Sequence, residues 1–194
     1  MDGLATSKKN VIDYGIKHPD YRIVHDNLKD MNQVTSSQTY QKGSWILHML
    51  RGVIGTDAFW KGIKSYYLKY QNLNASTTDF RREMEEASGQ DLKYFFEQWL
   101  YKPGALKLNG TWQYDAKKKE VKIMLDQIQA DGSMFKTPIQ VAIYGPKRKK
   151  PLIKIVQVNE KASLLIVQVD AEPAQVVLDP DSWLLMESTF TRKQ

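Results

Sequence analysis

The chain has 194 residues, 42% of them apolar, enough for one large domain or two small ones with a real core. No apolar run is long enough to cross a bilayer, and MDGLATSKKNVIDYG lacks a basic region followed by an apolar stretch, so neither a membrane segment nor a signal peptide is expected. Cysteine is absent, which excludes disulfides and thiolate ligands. The net charge of +6 raises a nucleic-acid reading, but its local excess lies in Lys117-Lys118-Lys119 and Lys147-Arg148-Lys149-Lys150. Both runs fall where turns are expected, and lysine-rich turns keep sheet edges soluble, so no nucleic-acid partner is expected.

Residues 1–35 mix polar and apolar side chains without a sustained period, and His18-Pro19-Asp20 reads as a turn. An irregular connector is expected there. From Ser36 to Gly55 the pattern is helical. Ser36, Ser37 or Thr39 can cap the first turn; Tyr40, Gly43, Leu47, Leu50 and Ile54 recur at helical spacing; Ile46, Met49 and Val53 add a second stripe; Gly55 ends it. Gly43 weakens a helix relative to Ala, and close approach of another backbone is the expected return.

Thr56-Asp57 opens a second helix with Phe59, Ile63, Tyr66 or Tyr67, and Tyr70 on one face. Thr77 or Thr78 with Asp79 opens a third, with Phe80, Met84 and Ala87 inward and Arg81, Arg82, Glu83, Glu85 and Glu86 outward. Gly89 stops it. Asp91 opens a fourth, LKYFFEQWLY, which ends at Pro103-Gly104.

From Leu106 the period becomes two. TWQYD and VKIMLDQIQ flank a KKKE turn, and Asp131-Gly132 marks the next bend. TPIQVAIYG follows, then LIKIVQV and SLLIVQV around Asn159–Ala162 as a further hairpin. AQVVLDPDSWLLM bends at Asp179-Pro180-Asp181, and the tail STFTRKQ is expected to fray. The fold class is therefore α+β: a helical unit of about four helices over residues 1–104, then a small antiparallel β-sandwich over 105–194.

Spacing alone yields no complete active site. His18, His25 and His48 belong to no HExxH pattern and are read as incidental, so no metal ligand is assigned. There is no GxSxG and no phosphate-binding glycine loop. Glu85 and Glu86 read as a solvated face. Tyr40, in the first turn of the longest helix, can hold its hydroxyl at the mouth of a cavity, although such a tyrosine is more often structural.

The stretch Tyr40-Gln41-Lys42-Gly43 to Leu47, Leu50 and Arg51 resembles the Y-x-K-G-x-x-x-L-x-x-L-R segment of the M1 family of zinc aminopeptidases, the gluzincins that include aminopeptidase N. Gly55–Trp60, Thr77-Thr78-Asp79-Phe80, and Ser88–Leu92 with Phe95-Phe96 and Gln98-Trp99-Leu100 resemble further segments of that family in the same order. FKTPIQVAIYG and DPDSWLL resemble its sandwich domain. The resemblance implies the C-terminal half of a thermolysin-like catalytic domain followed by that sandwich.

It also implies that the parent enzyme takes N-terminal residues from peptide substrates, with zinc as cofactor. Tyr40 would donate a hydrogen bond to the tetrahedral oxyanion; a phenol keeps its proton at neutral pH and so can donate. The family's H-E-x-x-H, its distal zinc-binding Glu and its G-x-M-E-N segment have no counterpart in the sequence. The expectation is a chain that binds no zinc by itself, is inactive alone, and has the missing N-terminal half as partner. No substrate-binding residue is assigned, because the pocket would lie mostly in that half. The competing expectation is a stand-alone, non-catalytic protein-interaction module.

Overall fold

A computed structural model describes residues 2–24, 37–146 and 149–193. The chain divides into two compact units, Met1–Gly104 and Ala105–Gln194.

The first unit is helical. Its α1 (Asp2–Lys17) replaces the irregular connector expected over the start of residues 1–35. Val11 and Ile12 are its buried pair, and Trp45 Nε1 donates to Ser7 Oγ at 3.2 Å. Those tertiary contacts hold a helix that glycines 3 and 15 would weaken in isolation. His25 and Ser36 lie outside the described residues.

Helix α2 (Ser37–Ile54) buries Lys42, Trp45, Ile46, Met49, Leu50 and Ile54. The expected inner stripe is inward only at its C-terminal end: Leu50 and Ile54 are buried, whereas Tyr40 and Leu47 are exposed. Helix α3 (Thr56–Tyr70) starts from Gly55, whose φ of 86° suits glycine; no side chain caps it. At Gly62 an added Cβ would lie 2.6 Å from Met84 Sδ and 3.3 Å from Ala87 Cβ, so the missing side chain lets the next helix approach. That helix, α4 (Thr77–Ser88), carries a capping box. The Asp79 amide donates to Ser76 Oγ at 3.2 Å and the Ser76 amide donates back to Asp79 Oδ2 at 2.9 Å. Gly89 closes α4 in the left-handed region.

Where one continuous fourth helix is expected, α5 (Lys93–Phe96) gives way to a π-helical turn, Glu97–Tyr101. Phe95, Phe96, Trp99 and Leu100 are all buried. The widened turn lets this dense set of large side chains pack inward together.

The second unit has two sheets. One runs β5 (Ala162–Gln168), β2 (Glu120–Gln127), β1 (Leu106–Asp115), β7 (Met186–Arg192); the other runs β4 (Leu152–Val158), β3 (Thr137–Tyr144), β6 (Gln175–Leu178). Alternate residues are buried, among them Leu108, Trp112, Val121, Ile123, Ile139, Val141, Val156 and Val158. The β1–β2 hairpin turns where expected, with the amides of Lys117 and Lys118 donating to Asp115 Oδ1 at 3.0 and 3.1 Å. Lys147 and Arg148 of the second basic run lie outside the described residues.

Two expectations are corrected here. The segments around Asn159–Ala162 form no hairpin, because β4 pairs with β3 and β5 pairs with β2. The connection crosses between sheets, held by Gln127, whose amide nitrogen donates to Lys161 O at 2.7 Å and whose Nε2 donates to Glu160 O at 3.0 Å. The tail does not fray: β7 runs parallel to β1, with Phe190 opposite Gly110. An added Cβ at Gly110 would meet Phe190 Cδ2 at 2.7 Å, so the glycine makes room for that ring. All other strand pairs are antiparallel.

Candidate functional site

The first turn of α2 opens onto a groove of about 610 Å³ within the helical unit. Its lining includes Thr39, Tyr40, Gly43 and Leu47 of α2, Tyr66 of α3, Ala75 and Thr77 at the start of α4, and the apolar side chains of Phe96 and Leu100. No described atom lies within 4 Å of a Cβ built on Gly43. The close backbone approach expected there is absent among the described residues, and the glycine instead leaves the groove open beside Tyr40.

Tyr40 is 73% exposed. A helix advances about 100° per residue, so Thr39 and Lys42 share a face that Tyr40 leaves. That shared face meets Tyr21. The Tyr21 hydroxyl lies 3.3 Å from Thr39 Oγ1, and Lys42 Nζ sits 5.7 Å from the Tyr21 ring centroid. The Tyr14 ring meets Tyr21 edge-on at 5.1 Å. Lys42 is only 5% exposed, and among the described residues it pairs with no carboxylate. Burial therefore pushes its ammonium pKa down to about 8.

The second buried charge of this unit is Glu83, which the outward-face expectation misplaced. It is 1% exposed, between α3 and α4. Ser65 Oγ and Lys69 Nζ each donate to it at 2.6 Å. The hydrogen bond from Lys69, then that from Ser65, holds the carboxyl below the usual range. Glu85 is half-exposed; its Oε1 accepts from the Leu92 amide at 2.9 Å and so helps to start α5. Glu86 is exposed. Neither forms an acid–base pair.

The remaining histidines are apart. His18 stacks on Tyr14 at 4.2 Å, and His48 meets Trp45 edge-on at 5.5 Å. Among the described residues no cluster of three or more His, Asp or Glu could hold a metal ion, so these residues do not fit a zinc centre. A second cavity of about 250 Å³ in the β unit is lined by Ile143, Leu152, Val169, Asp170 and Pro173 among others, and among the described residues its lining offers one carboxylate, that of Asp170. No described helix is long and apolar enough to cross a membrane. Among the described residues, then, the groove is lined by two phenols, the exposed Tyr40 at its start and the half-buried Tyr66. Lys42 and Glu83 were missed although both are spaced for burial: Lys42 is three residues before Trp45 and seven before Met49, and Glu83 is three after Phe80.

The sequence model of the peptidase family M1 domain matches residues 5–99. Aminopeptidase N of Lactococcus lactis subsp. lactis is 36% identical over 101 residues, 52% of this chain and 11% of its own length. Aminopeptidase M1-D of Oryza sativa subsp. japonica is 30% identical over 126 residues, 63% of this chain and 14% of its own. Puromycin-sensitive aminopeptidase of Caenorhabditis elegans is 27% identical over 172 residues, 86% of this chain and 17% of its own. The crystal structure of Legionella pneumophila aminopeptidase A in complex with aspartic acid shares the fold, with a TM-score of 0.75 at 14% identity over 88% of this chain and 20% of that one. Helices followed by antiparallel-rich sheets define an α+β chain that shares its fold with part of that structure. Residues 5–99 are thus similar to the M1 peptidase family domain, and the chain spans between 11% and 17% of the length of these curated relatives.

Proposed function

We propose that this chain is part of a zinc-dependent aminopeptidase that hydrolyses N-terminal residues from peptides. Residues 1–104 would belong to the catalytic domain and 105–194 would form the sandwich that follows it. Tyr40 would be the group that this chain contributes to the reaction. The observation that carries the proposal is the place of Tyr40: it opens the Y-x-K-G helix inside the family-matched region and stands exposed at the rim of a groove.

When water attacks a peptide carbonyl, negative charge grows on the carbonyl oxygen. A phenol donor placed there stabilises the transition state more than the ground state, because the charge is absent at the start. The zinc would be held by the family's H-E-x-x-H and distal Glu, which have no counterpart in this sequence, and among the described residues no cluster could hold a metal ion. The contribution of this chain is thus the donor and the groove behind it.

Replacing Tyr40 by Phe in the full-length enzyme removes only the hydroxyl. The expected result is a fall in kcat of about a hundredfold or more, with zinc content and circular dichroism unchanged. Near-normal turnover would overturn the role of Tyr40. The 194-residue chain alone is expected to bind no stoichiometric zinc in equilibrium dialysis and to release no product from an aminoacyl anilide; zinc-dependent turnover by it would refute the division of labour.

A further inference from the structure

Burying an ammonium without a carboxylate is costly, and an apolar side chain of the same length would fill the space without that cost. Among the described residues Lys42 has no carboxylate partner, yet it sits 5% exposed with its Nζ 5.7 Å from the Tyr21 ring centroid, a contact that recovers only part of the penalty. The neighbourhood shows what the charge can do. Tyr21 meets the Tyr14 ring edge-on at 5.1 Å, faces Lys42, and has its hydroxyl 3.3 Å from Thr39 Oγ1. Thr39 and Lys42 flank Tyr40, and both lie on the face that it leaves.

We propose that Lys42 and Tyr21 form a clamp on the first turn of α2 that sets the direction of Tyr40, which makes Lys42 a positioning residue. This rests on the reading of Tyr40 as the oxyanion donor. The cation fixes the ring of Tyr21, the ring presents its hydroxyl to Thr39, and the two contacts restrain the turn on both sides of Tyr40. An oxyanion donor is sensitive to such restraint, because its hydrogen bond is made in the transition state and a small displacement lengthens it.

The test is a double-mutant cycle in the full-length enzyme with Lys42→Met, Tyr40→Phe and the two together. Lys42→Met is expected to lower kcat about tenfold with KM within about twofold, because the loss falls on the transition state. In the Tyr40→Phe background the same change is expected to cost nothing more, since the group it aims is gone. Lys42→Arg keeps a cation on the ring and should restore kcat to within about threefold of the parent.

Wild-type kcat in Lys42→Met overturns the clamp. So does a Lys42→Met loss that multiplies the Tyr40→Phe loss, which would mark a structural role independent of Tyr40. Normal turnover in Tyr40→Phe alone overturns the donor reading and the clamp with it, so that arm separates the two failures. If Lys42→Met does not fold, as judged by zinc content and circular dichroism, Tyr21→Phe carries the test. It keeps the ring and loses only the contact with Thr39. The expected loss is about threefold in kcat, again vanishing beside Tyr40→Phe; full activity or a multiplying loss overturns the proposal.

Discussion

The two units treat buried polar groups in opposite ways. In the β unit, the buried side chains of Asp179 and Gln127 bind backbone, and Gln127 Oε1 also accepts from Gln129 Nε2 at 2.8 Å. Asp179 accepts from the amides of Trp183 and Leu184 at 2.8 and 3.0 Å, and Gln127 accepts from the Phe135 amide at 2.9 Å while its Nε2 donates to Phe135 O at the same distance. These contacts fix loops. In the helical unit, Glu83 is matched by two side-chain donors, whereas Lys42 faces an aromatic ring. Lys42, which among the described residues has no carboxylate partner, lies two residues from the exposed Tyr40. A buried charge that is fully matched ties elements together; one that is poorly matched lowers stability locally, and its place beside Tyr40 is a reason to look there for function.

This contrast can be broken by measurement. The largest effect on stability belongs to Lys42. Its folded pKa of about 8 lies below the unfolded value of about 10.4, so the folded state disfavours the charged form. Below pH 8 the penalty is fully present. As pH rises from 8 to 10.4 the unfolded state binds more protons than the folded one, and stability rises by about 3 kcal/mol in total. Urea unfolding across this range should show that rise in the parent and not in Lys42→Met. Equal slopes would mean that the ammonium is not desolvated.

Glu83→Ala comes next. It leaves Ser65 and Lys69 without their acceptor and should cost about 1–3 kcal/mol, read as a lower urea midpoint in the helical circular-dichroism signal. Its folded pKa is depressed, so its contribution is present above the unfolded value of about 4.3 and lost as pH falls through the folded one. The variant should therefore show less acid sensitivity than the parent below that pH; an unchanged acid limb would contradict the geometry. Asp179→Ala removes the acceptor of two amides in the β unit and should cost about 1–3 kcal/mol with little dependence on Tyr40 chemistry. A loss of kcat larger than the loss of stability would blur the division between the units.

The smallest effect is expected at Leu164, 61% exposed on the edge strand β5. Leu164→Thr should change stability by no more than about 0.5 kcal/mol in the same assay, since it makes few buried contacts. A larger loss would show that this strand face is covered.

Much of the architecture was legible from local signals. The apolar period of α3 and α4, the left-handed Gly89 and the lysine turn after Asp115 are each set within a few residues, whereas the cap of α4 is Ser76 with Asp79 and not the expected Thr77 or Thr78. Tyr40 was legible as a candidate because it opens a helix within a family-like word. Its exposure was not, since the stripe through Tyr40, Gly43 and Leu47 has the spacing of a buried face. Periodicity says which residues share a face and leaves open what covers that face.

The sequence by itself determined the helical-then-strand order, the positions of the main helices and turns, and the family word around Tyr40, because hydrophobic period, caps and turn residues act through neighbours in the chain. Only the tertiary structure decided that α1 is a helix, that β4 and β5 part into different sheets, that β7 pairs with β1 beside Gly110, and that Lys42 and Glu83 are buried. Each of those outcomes depends on partners distant in sequence: Trp45 on Ser7, Gln127 on Glu160, Phe190 on Gly110, Tyr21 on Lys42. No local pattern records the free energy of such contacts.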